Sequence, residues 1–149
     1  MLKILIAVDG SELSLDAVRY ALSLLQEGLR ASLVLANVQE SATLYEVVVA
    51  HDPLVLQEVS QEAGSHQLAA AQELVSAAGV DFVCVVESGD PTNMLLDIAE
   101  REACDAVILG AKGHGNIRGA LMGSVSQKMV QESPVPVTVV KHAELEELA

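Results

Sequence analysis

The chain has 149 residues, 51 % of them hydrophobic, with 21 Asp and Glu against 8 Lys and Arg, for a net charge of −13. Such acidity excludes a nucleic-acid partner held through its phosphates, and two Tyr and one Phe are too few for a base-stacking platform. The apolar runs are strand-sized, so no membrane span is read, and the composition suits one domain with a real core.

Leu2–Val8 is apolar apart from Lys3 and runs into Asp9-Gly10-Ser11, which predicts a first strand rather than a leader sequence. Ser11 to about Gly28 reads as a helix with Leu15, Val18, Leu22 and Leu25 on one face and Gly28 as its stop. Ser32–Val38 is a second strand, and Gln39–Asp52 is irregular and long enough to raise a functional question. Pro53 opens a helix reaching about Ala78, with Leu56, Val59, Ala63, Ala70 and Leu74 at helical spacings, and Gly79 ends it. Val80–Glu87 is a third strand. Asp90 then suits an N-cap and Pro91 the first helical position, ahead of a buried stripe of Met94, Leu95, Ile98 and Ala99. Asp105–Leu109 is the fourth strand, and Ser124–Glu132 is the last helix, where Ser124-x-x-Gln127 fits a capping box. Pro136–Lys141 is the fifth strand. The domain is read over residues 1–142 and an acidic tail over 143–149.

Strands alternating with helices predict a single-domain α/β fold: a five-stranded parallel sheet covered by helices on both faces. Ligands of such sheets sit beyond the strands' carboxyl ends, where the strand order reverses. The Asp9 turn and a glycine loop after the fourth strand both mark such ends. If they serve one ligand, the first and fourth strands are neighbours and the order is 3-2-1-4-5. Cys84 and Cys104 fall in apolar strand segments and are expected as buried, reduced thiols, in keeping with a reducing cytoplasm. His51, His66, His114 and His142 have no metal-ligand spacing, so no metal site is assigned.

The glycine loop has an unusual charge setting. None of the acids lies between Asp105 and Glu132, where an even scatter would put roughly four. Lys112, His114, Arg118 and Lys128 lie there instead. Gly110, Gly113 and Gly123 allow close approach of backbone amides, Ser124 and Ser126 carry hydroxyls, and the helix start adds its dipole: together they describe an anion site. Asp9 reads either as a cap for the first helix or as a partner for a ribose hydroxyl or a metal-bound water. Lys112 and Arg118 read as solvated loop charges or as phosphate contacts, and His114 as a phosphate donor or an exposed loop residue. There is no G-x-x-x-x-G-K-[ST] loop, no G-x-G-x-x-G after the first strand and no G-x-S-x-G elbow, and no general base stands out.

At these residues the chain resembles the universal stress protein family, in its ATP-binding branch. The branch's G-x2-G-x9-G-[ST] pattern is matched by Gly110, Gly113, Gly123 and Ser124. The opening Ile-Leu-Ile-Ala-Val-Asp-Gly-Ser, the Gly89-Asp90-Pro91 turn, and Gly123-Ser-Val-Ser-Gln-Lys followed by Pro134-Val-Pro-Val extend the likeness from residue 1 to about 141, weakest over Gln39–Gly79. The resemblance implies a flavodoxin-like, adenine nucleotide alpha hydrolase-like fold with ATP or another adenine nucleotide across the first and fourth strands. It implies that Asp9 holds the ribose and that backbone near Ala7 and Val38 meets the adenine. Gly110, Gly113, Gly123, Ser124, Val125 and Ser126 would hold the phosphates, accompanied by Mg²⁺; His114, as a candidate phosphate donor, joins the site on its own chemistry. Similar proteins are cytoplasmic homodimers with stress-linked regulatory roles and weak or unproven hydrolysis. The apolar, β-branched Val135–Val140 run independently suits a sheet edge that pairs with a second copy. Two rival readings are a slow Mg-dependent ATPase using Asp9 and a nucleotide-free interaction module whose glycine loop is structural.

Overall fold

Short apolar runs bounded by turn residues form the strands, and the helically spaced segments between them form the helices. In chain order they are β1 (Leu2–Ala7), α1 (Glu12–Gln26), β2 (Ala31–Gln39), α2 (Pro53–Ala77), β3 (Phe82–Ser88), α3 (Pro91–Arg101), β4 (Ala106–Gly110), α4 (Ser124–Glu132) and β5 (Val137–Val140). The computed structural model describes residues 1–40, 52–112 and 122–141. The loop at 41–51, most of the glycine loop (113–121, with Gly113, His114 and Arg118) and the tail at 142–149 lie outside the described residues.

The strands make one sheet in the order β3-β2-β1-β4-β5, every pair parallel, as expected from the sequence. β1 is central, with Leu2 to Ala7 opposite Ala31 to Ala36 on one side and Ile4 to Ile6 opposite Ala106 to Ile108 on the other. Alternate side chains of each strand point to opposite faces, so two cores form. Ile4, Ile6, Leu33 and Leu35 pack under α1 and α2 with Val18, Leu68 and Val75. Leu5, Val34, Val107 and Leu109 pack under α3 and α4 with Leu95, Ile98 and Met129. Leu5, Ile6 and Leu35 are fully buried, each stabilising the fold by about 1.5–3 kcal/mol relative to an exposed side chain.

Three expectations need correction. Cys84 is exposed rather than buried: it lies on β3, the edge strand that the expected order already placed there, and its Sγ accepts a hydrogen bond from Gln72 Nε2 at 2.9 Å. Cys104, as expected, is buried, but it lies in the turn before β4. The buried stripe of α2 is Gly64, Leu68, Ala71 and Val75, a register apart from the apolar spacing read in the sequence, and no residue before Gly64 in that helix is buried. Leu54, Val55 and Val59 are exposed there. The N-cap of α4 is Gly123, not Ser124: Ser124 already has a helical position, so Ser124-x-x-Gln127 is no capping box.

Candidate functional site

Pairing of β1 with β4 brings the Asp9 turn and the base of the glycine loop to one end of the sheet. At the first, Val8 N–H donates to Ala36 O at 2.8 Å, keeping the chain on the sheet one residue past β1. Gly10 then takes φ +87°, a left-handed conformation that a side chain would strain, and reverses the chain into α1. Ser11 is the N-cap, its Oγ accepting from Ser14 N–H at 3.2 Å. Asp9 is therefore not the cap itself. Its Oδ1 accepts from Ser11 N–H at 2.9 Å and from the Ser11 hydroxyl, which holds the carboxylate over the helix start, half-buried.

The glycine loop is pinned at its base by Ala111, a residue that sequence reasoning passed over. Ala111 N–H donates to Val140 O at 2.8 Å, and its carbonyl accepts from Gly123 N–H at 2.7 Å and from the Ser126 hydroxyl at 2.6 Å. Ala111 and Gly123, on either side of the loop, are thus held together. The Ser126 hydroxyl also points to Gly123 O at 3.0 Å and is buried, so its single proton serves the loop base. Gly110 has a packing reason for lacking a side chain: a Cβ there would come within 2.9 Å of Leu13 Cγ and 3.2 Å of Leu13 O. Its absence lets the first turn of α1 lie against the end of β4.

The start of α4 differs from the other described helix starts. Ser11, Asp52 and Asp90 each place a side-chain oxygen on an amide of the helix that they precede. At Gly123 (φ −78°) no side chain caps α4 among the described residues. The amides of Ser124, Val125 and Ser126 precede the first intrahelical bond, Gln127 N–H to Gly123 O at 3.0 Å, so they are donors without an intrahelical acceptor. Ala7 and Val38 are half-buried and both pack toward the α3/α4 face. A groove of about 460 Å³ opens between α2 and the ends of β2 and β3, among Glu40, Leu56, Gln61, Glu87 and Gly89.

Behind the Asp9 turn lies a polar cluster that sequence reasoning also missed. Asn37, 1 % exposed, donates through Nδ2 to Val8 O at 2.8 Å and to Gln67 Oε1 at 2.7 Å. Gln39 Nε2 donates to Asn37 Oδ1 at 2.7 Å and to Gln67 Oε1 at 3.1 Å. The available signal was a lone amide inside the apolar run Leu33-Val-Leu-Ala-Asn37-Val, since a buried amide needs partners.

The model of the universal stress protein family matches residues 1–141. The chain belongs to that family. Among family members, universal stress protein YxiE of Bacillus subtilis is 29 % identical, covering 93 % of this chain and 98 % of that one. The fold is shared with solved structures. One is a protein of Methanocaldococcus jannaschii, at TM-score 0.80 and 24 % identity over 95 % of this chain and 96 % of that one. A universal stress protein solved in complex with cAMP gives TM-score 0.68 and 26 % identity over 93 % and 96 %. A family protein of Arabidopsis thaliana solved with AMP bound gives 0.68 and 20 % over 97 % and 95 %. Among the described residues of this member, no helix is long and apolar enough to cross a membrane, and no three His, Cys, Asp or Glu cluster as metal ligands.

Proposed function

We propose that this universal stress protein binds an adenine nucleotide, ATP with Mg²⁺ in the first instance, and acts as a dimeric regulator rather than a catalyst. The observation that carries the reading is the start of α4, which no side chain caps among the described residues, at the same end of the sheet as the Asp9 turn. Donor amides there, the adjoining acid-free stretch and Lys112 favour a phosphate, to which the helix dipole adds about 0.3–1 kcal/mol. Asp9 would take the ribose and the backbone near Ala7 and Val38 the adenine. Gly110, Gly113, Gly123, Ser124, Val125 and Ser126 would line the phosphates, Ser126 through its amide, with His114 alongside. Family members solved with cAMP and with AMP support the nucleotide class. A binding role fits Asp9 better than a catalytic one, because Oδ1 is already engaged by Ser11.

Gly123→Asp tests the site. Gly123 has ordinary extended backbone, so an Asp there acts as an N-cap and puts a negative charge on the donor amides. Calorimetric titration of Mg-ATP, AMP and cAMP into nucleotide-free protein should show binding by wild type. Gly123→Asp should weaken ATP at least about tenfold while leaving the fold as stable or up to about 1 kcal/mol more so. Equal ATP affinity in the variant, or no nucleotide binding by wild type, rejects the reading.

A further inference from the structure

We propose that Asn37 is the positioning residue for the Asp9 turn, setting the carboxylate for a ribose by clamping the carbonyl of Val8 and tying it to α2 through Gln67. The ribose part rests on the function proposed above; the clamp does not. Val8 is held to β2 at both its polar backbone groups, N–H to Ala36 O and C=O from Asn37 Nδ2. Asp9 follows directly, so the direction in which the chain leaves the sheet is fixed one residue ahead of the carboxylate. The clamp is itself braced. The second Nδ2 hydrogen goes to Gln67, and Asn37 Oδ1 accepts from Gln39, which also reaches Gln67. This ring fixes the orientation of the Asn37 amide and keeps its donor on Val8. Gly64, one turn before Gln67, brings α2 close enough, since a Cβ there would lie 2.9 Å from Asn37 Oδ1.

Two variants separate positioning from plain stability. Asn37→Leu removes the clamp. Gln67→Met leaves Asn37 its bond to Val8 but removes the brace from a half-buried site on α2. The first readout needs no ligand: hydrogen exchange of the Ser11 amide, which bonds to Asp9. It should quicken about five- to tenfold in Asn37→Leu and less in Gln67→Met, while the Ile108 amide in β4 stays as protected as in wild type. The second is the affinity ratio of ATP to 2′,3′-dideoxy-ATP. Wild type should prefer the ribose hydroxyls about tenfold, and Asn37→Leu should lose most of that preference. Unchanged Ser11 exchange in both variants overturns the clamp; ribose preference retained in full in Asn37→Leu overturns its role in positioning Asp9 for the ribose. If Asn37→Leu does not fold, Gln67→Met decides by the same two measures. Faster Ser11 exchange with no ribose preference in wild type supports the clamp and rejects the ribose role of Asp9.

Discussion

Cys104 shows how a single buried group imposes a pH dependence on the whole chain. Burial pushes its thiol up from 9.0 to about 11, helped by the charges of Glu102 and Asp105 and opposed by Lys3. Between those values the unfolded chain loses the proton and the folded chain keeps it, so the folded state binds more protons and stability falls as pH rises. Urea midpoints measured from pH 9 to 11 should therefore decline more steeply in wild type than in Cys104→Ala. Parallel declines would mean that Cys104 titrates freely in the fold. Cys84, the other thiol, lies within the sheet, on its edge strand β3, and is exposed. Its strand is apolar by composition, but at the edge its side chain reaches solvent, and nothing within Phe82-Val-Cys84-Val-Val distinguishes an edge from a centre.

Helix α2 shows where the sequence could and could not be read at the scale of an element. Its start was legible because Pro53 acts locally, and its end because Gly79 does. Its buried face was not, because only the stretch from Gly64 to Val75 supplies buried residues, while Leu54, Val55 and Val59 keep an apolar rhythm in solvent. The start of α4 was misread for a related reason: a serine followed by a glutamine scores as a cap whether it stands at the boundary or one residue inside. At Gly64 two effects of known size compete. An Ala there gains about 1 kcal/mol of helix propensity, but its Cβ meets Val86 and lies 2.9 Å from Asn37 Oδ1, an overpacking that costs about 1–3 kcal/mol. Gly64→Ala should thus be net destabilising in chemical denaturation. A gain in stability would show that α2 lifts freely from β2 and β3.

At the scale of the molecule, the strand order followed from asking which two turns one ligand would need, because that question concerns the whole sheet. Oligomeric state belongs to the same scale. The carbonyls of Pro136 and Val140 accept from Val107 of β4 and from Ala111 just past its end, so the peptide groups at Val137 and Val139 face the open side of β5. If the edge pairs with a second copy, as proposed, Val139→Pro removes an outward N–H and spares the β4 ladder. Light scattering should then report a dimer for wild type and a folded monomer for the variant; a wild-type monomer, or a variant dimer, would reject that edge as the interface. The central place of β1 has a consequence of another kind, in time. β1 can join β2 early in synthesis, but its partnership with β4 waits for Asp105, whose carboxylate and N–H bond to Lys3 across 102 residues of chain at 2.9 and 2.7 Å. A loop of that span closes late and slowly. A nascent chain therefore displays Asp9 long before it has a crevice, and a folded one whose β4 frays gives up the crevice while β1 still holds to β2.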